Sequence, residues 1–122
     1  MVKGKVKPTK ISLINRERNF IMKYINLTPH SISMNDGKNY SPSGEVARVT
    51  VTFTQIVNGI CQQQFGEVEN LPSPQPDTTY IVSGLVLAAT NRKDVVAPAT
   101  GHPQTIRNEK GHIVSVPCFV SH

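Results

Sequence analysis

The sequence predicts a small α+β domain, rich in strands that form antiparallel hairpins and carrying one short helix. Three observations support this fold class. Nine Pro and eight Gly among 122 residues indicate frequent turns between short elements. Asp-Gly and Asn-Gly pairs lie between apolar runs, a position typical of tight hairpins. Apolar and polar residues alternate over residues 48–54, as they do in a half-buried strand.

The first predicted hairpin lies near the start of the β-rich region. Residues 24–27 form a predicted strand, residues 28–30 bend it at a proline, and residues 31–34 continue in extended conformation. Asn35-Asp36-Gly37-Lys38 then predicts a tight turn, because Asp-Gly supplies the positive φ that hairpin turns need.

A second hairpin is predicted from strands at residues 48–56 and 60–68, which turn at Asn58-Gly59. Alternate residues from Val49 to Phe53 share one face of the first strand. Because these alternate residues are apolar, we expect this face to be the buried one.

The C-terminal half contains the predicted helix. Residues 84–91 form this helix with Ser83 as its N-cap, although the same apolar run also fits a continued strand. The other predicted segments are a proline-rich connector at 71–77, strands at 79–83 and 95–98, and a hairpin at 105–116 that turns at 108–111.

Charge divides the chain into two regions. Residues 1–22 carry six Lys and Arg against one Glu, whereas residues 23–122 carry seven basic and seven acidic residues. We therefore predict a basic N-terminal extension at 1–22, in which residues 10–14 fit a strand, and a single β-rich ligand-binding domain at 23–122. The extension is either a solvated tail or an attachment for polyanions. Either Met1 or Met22 fits as the natural first residue of the protein.

The composition also predicts the cellular compartment. No apolar run approaches the roughly 18 residues of a membrane helix, and the N-terminus lacks the apolar region of a secretory signal. Cys61 and Cys118 are too few for a disulfide framework and lack the spacing of a zinc site. We expect a cytoplasmic protein with reduced thiols, no metal and no cofactor.

The sequence contains no recognisable catalytic motif. Ser83 lacks the flanking glycines of a nucleophile elbow. Glu67 and Glu69 share one strand face and offer an acid–base or metal pair, but they also fit a solvated surface. His30 follows a proline in a turn, with no second histidine at ligand spacing. We therefore expect a binding protein rather than an enzyme.

Three arginines are candidates for a localised anion pocket. Arg48, Arg92 and Arg107 are spread along an otherwise neutral region, and guanidinium groups bind phosphate through a planar fork of donors. Asn91 and Asp94 flank Arg92 and offer partners for ribose hydroxyls or a base. An Arg92–Asp94 ion pair that locks the loop is equally consistent with the sequence.

Aromatic side chains are the candidates for stacking on a base. Phe65, Tyr80 and Phe119 are the residues considered, with core packing as the alternative role. The predicted ligand-binding residues are Arg48, Phe65, Tyr80, Asn91, Arg92, Asp94 and Arg107.

Five segments within residues 22–120 carry a family resemblance. They are Tyr24-Ile-Asn-Leu-Thr-Pro-His30, Pro42-Ser-Gly-Glu-Val-Ala-Arg48-Val49, Phe65-Gly-Glu-Val-Glu-Asn-Leu-Pro72, Tyr80-Ile-Val-Ser83 and Arg92-Lys-Asp-Val-Val-Ala-Pro98. Together they resemble a widespread family of small phage and prophage proteins, which includes the sponges that counter the Thoeris bacterial defence. The basic extension lies outside the resemblance.

The resemblance implies sequestration of a signal. Thoeris TIR proteins make cyclic ADP-ribose isomers as alarm signals, and the resemblance implies that this chain binds such a cyclic nucleotide without cleaving it. It also implies a symmetric homo-oligomer with ligand pockets near the subunit contacts. The alternatives are a phage structural or assembly protein, a nucleotide-processing enzyme, and a DNA-binding accessory that uses the basic extension. Membranes and nucleic acids are not the expected partners.

Overall fold

The computed structural model describes residues 22–122, which form ten short strands and one helix. In chain order, the elements are β1 (Lys23–Asn26), β2 (Ile32–Ser33), β3 (Asn39–Tyr40), β4 (Arg48–Phe53), β5 (Gln63–Glu69), β6 (Thr78–Ile81), α1 (Gly84–Ala89), β7 (Val95–Pro98), β8 (Ile106–Arg107), β9 (Ile113–Ser115) and β10 (Phe119–Val120). The predicted strand at 10–14 and the basic extension, apart from Met22, lie outside the described residues.

Three antiparallel hairpins confirm the strand-rich α+β prediction. They pair β2 with β3, β4 with β5, and β8 with β9. The second hairpin turns at Asn58 and Gly59, whose φ angles are 54° and 77°. Val57 and Ile60 exchange backbone hydrogen bonds of 2.8 and 3.0 Å across this turn. Positive φ at both central residues is the reason an Asn-Gly pair marks the hairpin in the sequence.

The centre of the protein is a four-stranded sheet of order β1-β6-β7-β10, which the hairpin signals did not predict. β1 and β7 both run parallel to β6, and β10 runs antiparallel to β7. The connection from β6 to β7 passes through α1, as parallel neighbours require a crossover. Parallel pairing has no local turn signature, so a hairpin-based prediction misses it.

Helix α1 begins where the sequence predicts and ends earlier. The Ser83 hydroxyl accepts a 3.3 Å hydrogen bond from the Val86 N–H and caps the N-terminus. The helix ends at Ala89 instead of residue 91, because Thr90 is extended with φ −128°. The Thr90 hydroxyl then accepts from the Arg92 N–H at 3.3 Å, which favours the non-helical backbone.

Both faces of the central sheet are covered. Successive residues from Tyr80 to Val82 point to opposite sides of the sheet. Tyr80 and Val82 pack in the core cluster that includes residues of α1, and Ile81 packs in a second cluster on the other side. Ile32 of β2 and Val116, which follows β9, complete that second cluster. The helix and the base of the β4–β5 hairpin therefore lie on one face, with the β2–β3 and β8–β9 hairpins on the other.

The outer part of the β4–β5 hairpin departs from the predicted burial. Val49 packs against the core at its base, as expected. Phe53 shares the same predicted face but is exposed. From residue 52 to residue 67, every residue is exposed except the half-buried Thr54. The prediction that this face is buried is therefore wrong for the outer part of the hairpin. The reason is that the two strands extend past the core, so no other element covers them.

Candidate functional site

A cavity of about 460 Å³ lies where β1, β6 and β7 end. Thr28 and His30 come from the loop after β1, Ser83 follows β6, and Thr100 follows β7. The carboxyl ends of adjacent parallel strands meet at one sheet edge, which is the usual position of ligand sites in parallel sheets. The topology therefore produces a candidate site that no single segment of the sequence indicates.

Hydroxyl groups dominate the polar part of this cavity. Its walls carry the side chains of Thr28, Ser31, Ser33, Ser83, Thr100 and Ser115. The hydroxyls of Ser31 and Thr100 make no side-chain hydrogen bond to any residue in the range 22–122, so they are available to a ligand. His30 is the titratable side chain in the walls formed by these described residues.

A buried asparagine shapes the loop that forms one wall. Asn26 is 2% exposed, and its Nδ2 donates to the carbonyl oxygens of His30 at 2.8 Å and Tyr40 at 3.0 Å. Its Oδ1 accepts from the N–H and the hydroxyl of Thr28, at 2.9 and 2.7 Å. These four bonds use the full capacity of the amide and hold Thr28 and His30 at the cavity. Sequence reasoning missed Asn26, although a polar residue within an apolar strand is a signal for such a network.

Arg48 lies in a groove that adjoins the cavity. This groove, of about 260 Å³, shares Thr28 and Ser83 with the larger cavity and is also lined by Pro29 and Arg48. Arg48 is exposed at the first position of β4. Arg48 therefore belongs to a groove that shares two wall residues with the candidate cavity.

Arg107 lies on another flank of the same cavity. Its Nη2 donates to the carbonyl oxygen of Thr100 at 3.1 Å, and its Nη1 donates to that of Gly111 at 2.8 Å. Thr100 forms part of the cavity wall, so Arg107 is hydrogen-bonded to the backbone of a wall residue. The structure thus brings two of the three predicted arginines to the carboxyl edge of the sheet.

The third arginine lies at the opposite edge, just before β7 begins. Arg92 Nε and Nη2 donate to the two carboxylate oxygens of Asp94, at 3.0 and 2.6 Å. The guanidinium also lies 5.8 Å from the centroid of the Tyr80 ring. Hydrogen bonding to Arg92 holds the pKa of Asp94 below its usual value despite partial burial. The loop-locking pair considered from the sequence is therefore formed, while neighbouring Asn91 is exposed.

The predicted aromatic residues do not assemble into one stacking surface. Tyr80 is 1% exposed, and its hydroxyl donates to the Ser73 carbonyl at 3.2 Å, so its buried ring has no face for a base. Phe65 lies on the exposed part of β5. The Phe119 ring packs against Tyr24 and Tyr40, with centroids 5.9 and 5.5 Å apart. The stacking role expected for Tyr80 is corrected to a core role.

The remaining sequence candidates are dispersed. Glu67 and Glu69 are exposed on β5 and do not line the cavity, and Glu69 lies opposite Arg48 in the β4–β5 ladder. Among residues 22–122, no three His, Cys, Asp or Glu side chains are grouped so that they could hold a metal ion. Cys61 and Cys118 are free, exposed thiols.

No helix within the described part of the chain combines the length and hydropathy needed to cross a membrane. Comparison of the sequence and structure with protein-family models, curated proteins and solved structures found no match. The function is therefore a proposal, which rests on the residues and geometry of this chain together with the resemblance described above.

Proposed function

We propose that the protein binds a cyclic nucleotide signal of the cyclic ADP-ribose type in the bacterial cytoplasm and sequesters it without cleaving it. The observation that carries this proposal is the cavity at the carboxyl edge of the parallel strands, whose mainly apolar walls, with Ile113 and Val116 among them, also carry Ser and Thr residues. Arg48 and Arg107 lie close to residues of these walls. The homo-oligomer implied by the family resemblance stays a prediction within this proposal.

The size and chemistry of the cavity support a ligand of this class. Its volume of about 460 Å³ falls within the range of about 300–1,000 Å³ that small-molecule sites occupy. The Ser31 and Thr100 hydroxyls can exchange hydrogen bonds with ribose hydroxyls, and a guanidinium on each flank can meet a pyrophosphate. The wall residues within 22–122 include no Asp or Glu that would repel an anion.

The same walls favour retention over cleavage. General acid–base cleavage needs proton donors and acceptors placed on both sides of the bond that breaks. His30 is exposed and has no carboxylate partner among residues 22–122 to orient its ring. A ligand held by apolar and hydroxyl groups, without a paired acid and base, is retained by pre-organisation and released unchanged.

A depletion and release assay tests the proposal. Purified protein is mixed with cyclic ADP-ribose isomers, the free ligand is measured after filtration, and the protein is then heat-denatured. We expect depletion by the native protein and recovery of the intact ligand after heating. Recovery of an altered product would identify a nucleotide-processing enzyme instead, and an absence of depletion would reject a cyclic ADP-ribose ligand.

Matched arginine variants test the position of the site. We expect Arg48→Gln and Arg107→Gln each to weaken uptake about tenfold or more, because each removes a charge-assisted contact to phosphate. Arg92→Gln is the comparison, since that side chain pairs with Asp94 at the opposite edge. If uptake falls only with Arg92→Gln, the site predicted at Asn91, Arg92 and Asp94 from the sequence is correct and the cavity is not the site.

A structural or assembly protein is the second candidate function. The observation that favours it is the exposed apolar part of the β4–β5 hairpin, because assembly proteins bury such surfaces against neighbouring chains. Under this alternative, the depletion assay shows neither uptake nor an altered product.

A further inference from the structure

A second groove lies beside the candidate cavity, at the carboxyl end of β7, and is here called the β7 groove. It has a volume of about 340 Å³ and shares Gly84, Pro98 and Thr100 with the cavity. Its walls are formed by Gly84 and Leu87 of α1, by residues 97–102, and by Cys118 and Val120. The two spaces therefore adjoin each other where β7 ends.

The walls of the β7 groove differ in chemistry from those of the cavity. Within residues 22–122, Thr100 is the one wall residue of the groove with a hydroxyl group, whereas the cavity walls carry six Ser and Thr residues. These groove walls also contain no Lys, Arg, Asp or Glu. A phosphate would lose its hydration there without gaining a charged donor, which is costly, but an uncharged ring would not. The groove therefore suits the base of a nucleotide better than its phosphates.

His102 offers one directed hydrogen-bond donor at the β7 groove. Its Nδ1 accepts from the Gln104 N–H at 3.0 Å, so the proton of the neutral ring is on Nε2. Backbone hydrogen bonds hold the loop, because the His102 N–H donates to the Ala99 carbonyl at 3.2 Å and the Thr105 N–H donates to the His102 carbonyl at 3.0 Å. The Nε2–H group can donate to a ring nitrogen of a purine, since these nitrogens are acceptors.

We propose that the β7 groove is the base subsite of the candidate site, and that it takes the purine ring of the nucleotide whose ribose and phosphate groups occupy the cavity. This inference rests on the proposed function. Phe65 and Tyr80, the aromatic residues expected to stack on a base, line neither space. Apolar contact with residues such as Leu87 and Val120 takes the place of stacking, and the His102 donor orients the ring.

The two cysteines of the chain allow a test with an internal control. Both thiols are free and exposed, but Cys118 lines the β7 groove, whereas Cys61 lies between β4 and β5 and lines neither space. The full chain is treated with N-ethylmaleimide with and without saturating cyclic ADP-ribose isomers, and each cysteine peptide is followed by mass spectrometry. We expect the ligand to slow modification of Cys118 at least about fivefold and to leave that of Cys61 unchanged, because thiol reactivity requires access.

Matched substitutions test the groove by filling it. Cys118→Phe and Cys61→Phe add the same ring at an exposed cysteine, but only the first adds it inside the β7 groove. We expect Cys118→Phe to weaken uptake about tenfold or more and Cys61→Phe to leave it unchanged. Circular dichroism verifies that both variants are folded. An 8-azidopurine analogue of the ligand then locates the base, and irradiation of its complex should label residues 97–102 or 118–120.

The possible failures of this inference and of the proposed function can be told apart. Uptake of the ligand without protection of Cys118, or photolabelling confined to residues 28–33 and 113–116, would overturn the base subsite and leave the proposed function standing. Equal loss of uptake in the two Phe variants would also count against the groove. An absence of uptake by the wild-type chain would overturn the proposed function, and the base subsite with it.

Discussion

Replacing Asn26 by Asp changes one side-chain atom, the Nδ2 nitrogen, from a hydrogen-bond donor to an acceptor at the edge of the candidate site. The side chain keeps its size, and its oxygen still accepts from Thr28. The replaced Nδ2, however, donates to the carbonyl oxygens of His30 and Tyr40. In the variant at neutral pH, a carboxylate oxygen faces both carbonyls, so two donated bonds are lost and a charge is buried at a position that is 2% exposed.

The expected loss of stability is large. A buried polar group that loses its partner costs about 1–3 kcal/mol. The Tyr40 carbonyl loses the Asn26 donor, the His30 carbonyl keeps only the Thr28 hydroxyl at 3.0 Å, and a carboxylate is desolvated, which together give about 3–5 kcal/mol at pH 7. This loss is a large share of the free energy of unfolding of a typical domain, which is roughly 5–15 kcal/mol. Burial raises the pKa of the introduced carboxyl, so the folded state binds its proton more tightly. The unfolding free energy of the variant therefore recovers as the pH falls through that raised pKa.

Urea unfolding followed by circular dichroism measures this effect at neutral and mildly acidic pH. Asn39→Asp is the control, because Asn39 is exposed and its Nδ2 donates only to the Ser33 hydroxyl at 2.9 Å. We expect the control to cost less than about 1 kcal/mol. Equal losses for the two variants, or a loss for Asn26→Asp that does not shrink on acidification, would refute the role assigned to the buried amide.

Three further predictions concern local features. Because Arg92 lowers the pKa of Asp94 from 3.8, their pairing stabilises the fold above pH 3.8 and is lost as the pH falls through the lowered pKa. Asp94→Asn should therefore remove about 1 kcal/mol near neutral pH and reduce the acid dependence of urea unfolding. Ser83→Ala should cost about 1 kcal/mol in urea unfolding and Ser83→Gly only a few tenths, because the hydroxyl caps the Val86 N–H; equal costs would argue against the cap. Gly59→Ala should lower the free energy of unfolding by about 1 kcal/mol, and with it the urea midpoint, because φ is +77°. Gly84→Ala should leave the midpoint unchanged, because the space around its Cβ is open. Identical midpoints for the two variants would contradict the turn assignment.

Local features of the fold could be predicted from the sequence because a few neighbouring residues determine them. Gly37, Gly59 and Gly111 all adopt positive φ in their turns. Glycine supplies this conformation without steric cost, so it marks these turns in the sequence. The Ser83 cap likewise depends on a contact only three residues away. These features account for the three hairpins and for the start of the helix.

The arrangement of the candidate site could not be predicted in this way. From the sequence, Arg48, Arg92 and Arg107 are all candidates for one anion pocket, and an ion pair with Asp94 is the alternative for Arg92. The structure separates them, because Arg107 donates to Thr100 after β7 and Arg92 pairs with Asp94 before β7. For Tyr80 the sequence left core packing and base stacking both open, because an aromatic in a short strand fits either role, and its burial decides for the core.

By itself, the sequence determined the turns, the helix cap, the neutral charge of residues 23–122 and the strand-rich character of the chain. Only the tertiary structure decided that β1, β6 and β7 run parallel, that their carboxyl ends form a cavity, and that the outer part of the β4–β5 hairpin is exposed. Turns and caps depend on contacts between near neighbours, and the sequence therefore encodes them locally. Parallel pairing joins strands as distant as Lys23 and Thr78, and its stability comes from shared burial that no short segment contains.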